Sequence, residues 1–135
     1  MSLYELFFAG SLCVFLLLSH VPAARAQNPA EPALKFFVVN CDEKLTWIDS
    51  SGPSEGIIRK YWLDDGVFVV EYFVKADCSG VTFSGDYELR DSLLVLKRTV
   101  AQDQGSARCV CAHRLVYEFS GLPKRDYGIA IEAKR

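Results

Sequence analysis

From residue 34 onward, apolar side chains recur at every second position in short runs, and no run keeps the three-to-four spacing of an amphipathic helix. The runs predict eight strands, at 34–39, 45–48, 57–63, 67–75, 81–89, 93–99, 108–119 and 127–133. In the run 67–75, Phe68, Val70, Tyr72 and Val74 share one face. Asp65-Gly66 predicts a tight type I′ hairpin, with positive φ at both central residues. Cys78-Ser79-Gly80, Arg90-Asp91-Ser92 and the segment 121–126 are further turn signals, and Ser84-Gly85 is a point where the strand 81–89 can break. Residues 49–56 and 101–107 read as loops. No connection is long enough for a crossover helix, which argues against parallel βαβ units. The predicted fold is all-β: an antiparallel sandwich, immunoglobulin-like or similar, with a small closed barrel as the alternative.

Strand parity gives the cysteines meaning. On the run 108–119 the odd positions Cys109, Cys111, His113, Leu115, Tyr117 and Phe119 share a face, and their apolar content makes it the core face. Cys109 and Cys111 are therefore expected to point inward together. Same-face neighbours lie near the upper limit of Cα separation for a disulfide, so each should find its own partner. With Cys41 and Cys78 this leaves two pairings: Cys78–Cys109 with Cys41–Cys111, which is favoured, or the swap. Such bonds are expected to lock two β layers together. A competing use of the same residues is a metal site, since Cys109, Cys111 and His113 at i, i+2 and i+4, with Cys78 as a fourth ligand, suit zinc or copper. Structural zinc sites prefer wider cysteine spacing, and exported cysteines oxidise, so cross-links are the preferred reading. A redox-active Cys-x-Cys is the third possibility. No Cys-x-x-Cys-His for covalent haem occurs.

The N-terminal 26 residues change the compartment. Leu6 to Leu18 are almost continuously apolar, Ser19, His20 and Pro22 end the run, and Ala24-Arg25-Ala26 places small residues where a signal peptidase reads them. Cleavage is expected between Ala26 and Gln27. The run is short for a bilayer crossing, which needs about 20 residues. The start departs from the usual signal: Met1 to Glu5 carry no Lys or Arg. No cysteine suited to lipid attachment lies at the cleavage site. The expected organisation is a cleavable signal at 1–26, a linker at 27–33 and one β domain at 34–135, secreted or periplasmic and with no membrane span after signal removal.

Charge and motifs exclude more than they identify. The formal net charge of −2 and the lack of a basic stripe argue against nucleic acid and anionic lipid as partners. Beyond the leader, His113 is the only histidine, and no Gly-x-Ser-x-Gly, His-Glu-x-x-His or glycine-rich phosphate loop is present. Asp64-Asp65 and Asp42-Glu43 read as turn residues. No catalytic residue, cofactor or resident metal is expected. Trp47, Tyr61 and Trp62 are the candidate binding surface, because Tyr61 and Trp62 must face opposite ways on one strand and half-exposed aromatics favour recognition of a protein or glycan.

Several segments together resemble a group of small exported bacterial proteins of unknown function, many of them lipoproteins. They are Val74-Lys75-Ala76-Asp77-Cys78-Ser79-Gly80, Arg90-Asp91-Ser92-Leu93-Leu94-Val95-Leu96, Cys109-Val110-Cys111 followed by Leu115-Val116-Tyr117-Glu118-Phe119-Ser120-Gly121-Leu122, and Asp126-Tyr127-Gly128-Ile129-Ala130-Ile131. The resemblance spans roughly residues 66–132 and implies a β-sandwich at the cell envelope without catalytic residues. The expected role is a disulfide-stapled binding or structural module of the envelope or extracellular space. The alternatives are a small inhibitor of an extracellular hydrolase, acting through loops 49–56 or 101–107, and a metal-binding protein.

Overall fold

The computed structural model describes residues 30–45, 47–48, 51–103 and 109–134. The expected signal with its Ala26/Gln27 site lies outside these residues, as do positions 49–50 and 104–107 of the two expected loops and Arg108, the expected start of the seventh strand. Seven strands are present among the described residues: β1 (Ala33–Val39), β2 (Glu55–Trp62), β3 (Phe68–Asp77), β4 (Val81–Arg90), β5 (Leu93–Gln102), β6 (Val110–Ser120) and β7 (Gly128–Lys134). They form two sheets, β1-β6-β3-β2 and β4-β5-β7, and neither closes into a barrel. This is the all-β, two-layer architecture that the alternation predicts.

Three expectations need correction. Of the expected strand 45–48, the described residues Leu45, Trp47 and Ile48 are not in a strand. A 3-10 turn covers Glu43–Leu45, the Leu45 N–H donates to the Asp42 carbonyl at 2.9 Å and the Ile48 N–H to the Leu45 carbonyl at 3.0 Å, so these groups are spent locally. The sheets are not wholly antiparallel, because β5 and β7 pair in parallel, Leu93 beside Gly128 through Thr99 beside Lys134. The chain reaches β7 by way of β6 in the opposite sheet, so a strand in the other layer serves as the crossover and no helix is needed. The Asp65-Gly66 hairpin is not type I′: only Gly66 has positive φ, at 82°. The Gly66 N–H donates to the Leu63 carbonyl at 3.0 Å and the Leu63 N–H to the Val67 carbonyl at 2.8 Å. That is a three-residue loop closed by one left-handed glycine.

The core lies between the sheets. Phe68, Val70, Tyr72 and Val74 of β3 and Leu115, Tyr117 and Phe119 of β6 meet Phe83 of β4 and Leu94 and Leu96 of β5. At one end of the sandwich Trp62, Phe68 and Tyr127 pack as an aromatic group, with ring centroids 4.9 to 6.3 Å apart. At the other end, where Asp77 pairs with Val110, lie His113 and all four described cysteines. The outer face of the four-stranded sheet is also sealed. Val69, Glu71 and Phe73 of β3 and Val116 of β6 are buried there.

Candidate functional site

The cysteine end is built by register. The β3–β6 ladder runs out through Asp77 opposite Val110, which sets Cys78 against Cys109, and the Cys78 N–H donates to the Cys109 carbonyl at 3.0 Å. Their Cα atoms are 5.6 Å apart, the spacing of a hydrogen-bonded antiparallel pair, and a disulfide joins them. On the other flank of β6, Cys41 follows the end of β1 at φ 43° and is bonded to Cys111, with Cα atoms 5.2 Å apart. Both cross-links therefore tie neighbouring strands of one sheet. They do not join the two layers as expected, because β1 and β3 are the two partners of β6, and Cys41 and Cys78 follow the ends of those two strands. Cys109, expected to point inward, is exposed just before β6 begins, whereas Cys111 within the strand is half-buried.

His113 stands directly inside this pair of bonds and is fully buried. Its Nε2 lies 3.0 Å from the Asp77 carbonyl and 3.4 Å from Cys111 Sγ. A carbonyl only accepts and a disulfide sulfur offers no proton, so Nε2 carries the hydrogen. Nδ1 has the Cys41 N–H at 3.4 Å as a donor and Asn40 Oδ1, an acceptor, at 3.2 Å. The ring also packs on Phe83, centroids 5.1 Å apart. The sulfurs of Cys41, Cys78 and Cys111, drawn from two different bonds, all lie within 4.8 Å of one another. Of the ligand set Cys109, Cys111, His113 and Cys78, the fold does gather the members at one end. In disulfides, however, these sulfurs are not thiolates, and both nitrogens of His113 have protein partners.

The second feature is the outer face of the four-stranded sheet. Glu71 Oε1 accepts from Arg59 Nη2 at 2.7 Å and from the Tyr61 hydroxyl at 2.9 Å, while Oε2 meets Arg114 Nη1 at 3.3 Å. Arg114 Nε in turn faces Asp42 Oδ2 at 2.7 Å. Charges alternate from the end of β1 through β6 and β3 to β2. Burial alone would raise the pKa of Glu71, but the hydrogen bonds from Arg59 and Tyr61 outweigh it and hold the carboxyl below its ordinary range. The Arg59 guanidinium also lies over the Tyr61 ring, 4.9 Å from its centroid.

The aromatic candidates divide. Trp47 is 62% exposed and lies edge-on to Phe73 on this outer face. Tyr61 shares the face, two positions along β2 from Arg59. Trp62 points the other way, packs on Phe68, and donates from Nε1 to the Arg125 carbonyl at 3.3 Å. The three therefore do not form one surface, since adjacent strand residues take opposite faces. Sequence reasoning missed Phe37 on β1, 38% exposed with Lys35 over its ring, and the charge row beneath these aromatics. Outward parity on β1 was the only signal for Phe37. Beside the Cys41–Cys111 bond, Leu45, Ile48, Lys75 and Val110 border a depression of about 510 Å³. No described helix is long and apolar enough to cross a membrane. No protein-family model, curated protein or solved structure matches the chain.

Proposed function

We propose that this chain is an exported, disulfide-stapled β-sandwich that acts by binding a protein or glycan in the cell envelope or extracellular space, without catalysis. The observation that carries the reading is Trp47. A tryptophan left 62% exposed on a face whose other large side chains are mostly packed forfeits burial that the fold gives almost every other ring. Elsewhere on the same face, Phe37 and Tyr61 supply further aromatic surface, and Arg59, over the Tyr61 ring, supplies a polar group. Flat aromatic surface with positioned hydrogen-bonding groups is the composition of recognition sites. Export is supported by the leader at 1–26 and by the oxidised cysteines, which persist outside reducing compartments.

The test has two arms. Mass spectrometry of protein recovered from an exporting host is expected to show Gln27 as the N-terminus and no free thiol in the mature chain; an intact leader with reduced cysteines overturns export. Binding of the mature protein to envelope fractions and to a glycan array is then compared with Trp47→Ala. At least tenfold weaker binding is expected, the cost of truncating an aromatic anchor. Unchanged binding by Trp47→Ala and by Tyr61→Ala overturns the assignment of this face.

A further inference from the structure

We propose that the four cysteines and His113 form a thiol–disulfide exchange site, through which a dithiol reductant delivers an electron pair that comes to rest on Cys109 and Cys111. The inference does not depend on what the outer face of the sheet binds. It rests on three observations. Two disulfides share one cluster, with the sulfurs of Cys41, Cys78 and Cys111 mutually within 4.8 Å. One partner of one bond, Cys109, is exposed, while the other three cysteines are half-buried. A hydrogen-bond donor, His113 Nε2–H, stands 3.4 Å from Cys111 Sγ.

The exchange balances as follows. A thiolate of the reductant attacks the exposed Cys109 Sγ. A mixed disulfide forms, the Cys78–Cys109 bond breaks and Cys78 leaves as a thiolate. Cys78 then attacks Cys41 Sγ, so the Cys41–Cys78 bond forms, the Cys41–Cys111 bond breaks and Cys111 leaves as a thiolate. The second thiol of the reductant attacks its own sulfur in the mixed disulfide, closing the reductant's disulfide and releasing Cys109. The two protons of the original dithiol end on Cys109 and Cys111. The dithiol is oxidised by two electrons, and one of the two protein disulfides is reduced.

The direction of the second step follows from the surroundings of each leaving sulfur. Attack on Cys41 expels Cys111 beside the His113 Nε2–H, 3.4 Å away, a donor that a thiolate shares with the Asp77 carbonyl at 3.0 Å. Attack on Cys111 would expel Cys41, whose Sγ faces the Cys78 carbonyl oxygen at 3.7 Å, an acceptor that repels negative charge. The half-reduced protein therefore keeps one bond between the ends of β1 and β3 and displays a Cys-x-Cys dithiol on β6.

The experiment treats the oxidised mature protein with one equivalent of dithiothreitol under nitrogen, quenches with acid and N-ethylmaleimide, and maps the peptides without reduction. Labelled Cys109 and Cys111 with Cys41 and Cys78 in one cross-linked peptide are expected. Any other labelled pair overturns the proposal, whether Cys78 with Cys109, which means no exchange, or Cys41 with Cys111, which means entry through the depression beside them. A second arm uses Cys109→Ser. The single free thiol is expected mainly on Cys111, and a free Cys78 beside an intact Cys41–Cys111 bond overturns it.

Discussion

Glu71 shows how one side chain can organise a sheet face. Alternation along Val69-Val70-Glu71-Tyr72 assigns it to the outer side of β3, where a carboxylate would ordinarily meet water. Instead it is 4% exposed and receives hydrogen bonds from Arg59 and Tyr61, with Arg114 against its other oxygen. Removing it leaves the Tyr61 hydroxyl without its acceptor and takes one carboxylate contact from each of Arg59 and Arg114. Glu71→Ala is expected to lower unfolding stability by about 2–3 kcal/mol, the cost of losing hydrogen bonds to a buried charge. Glu118→Ala is the control: its partner Lys35 is 74% exposed, and an ion pair so placed contributes about 0–1 kcal/mol. Urea midpoints of the two variants make the comparison, and equal shifts would contradict this account of the network. Nothing near Glu71 in sequence announces this role beyond the spacing of Arg59 and Tyr61 on one strand. Arg114 is 43 positions away, and only the register of β3 on β6 brings it alongside.

Among the strands, β4 departs most instructively from expectation. Ser84-Gly85 reads as a break, yet β4 runs unbroken from Val81 to Arg90 and pairs with β5 along its whole length. The glycine is there because of another element. A Cβ at position 85 would overlap the ring of Phe36, which enters from β1 at the side where the two sheets close on each other. Gly85→Ala is expected to cost about 1–3 kcal/mol, the penalty of overpacking a filled core, read as a lower thermal midpoint. The double variant with Phe36→Leu should recover part of that loss, and no recovery would show that the contact is not the cause. A similar limit applies to β6. Period-two parity placed His113, Leu115, Tyr117 and Phe119 in the core, where they are buried. It misplaced Cys109, because parity holds only while the chain stays in the ladder, and Cys109 precedes the strand.

Across the two layers, charge and burial together set how the protein responds to pH. Glu55 resembles Glu71: burial would raise its pKa, but hydrogen bonds from Tyr72 and Arg98 outweigh this and lower it. A carboxyl with a depressed folded pKa contributes stability that is complete above its unfolded value, about 4.3, and is lost as pH falls through the folded value. Tyr72 and Tyr117 have the opposite sense. Burial, assisted at Tyr72 by its hydrogen bond to Glu55, pushes both hydroxyls above the ordinary tyrosine range. Their contribution is complete below the unfolded value of about 10 and disappears as pH rises beyond it. The stability curve is therefore expected to fall below about pH 4 and above about pH 10. Tyr117→Phe should flatten the alkaline limb and leave the acid limb unchanged, as read by urea unfolding across pH. An alkaline limb identical in this variant would remove Tyr117 from the explanation. The cross-links enter at this level too. In the chain-entropy view a loop of 31 residues between Cys78 and Cys109 is worth about 3–4 kcal/mol.

The chain by itself determined which residues alternate, and hence that the domain is built of strands, which faces of β3 and β6 meet the core, and that Tyr61 and Trp62 part company. These are local properties: each strand's two faces are distinguished by residues two apart. Only the tertiary structure decided which strands neighbour one another, that β7 lies parallel to β5, that both disulfides bind β6 to its own sheet, and that Glu71 meets Arg114 while Phe36 fills the space over Gly85. Those outcomes depend on contacts between residues far apart along the chain. Pairing energy and side-chain volume select them jointly, and no local pattern encodes either.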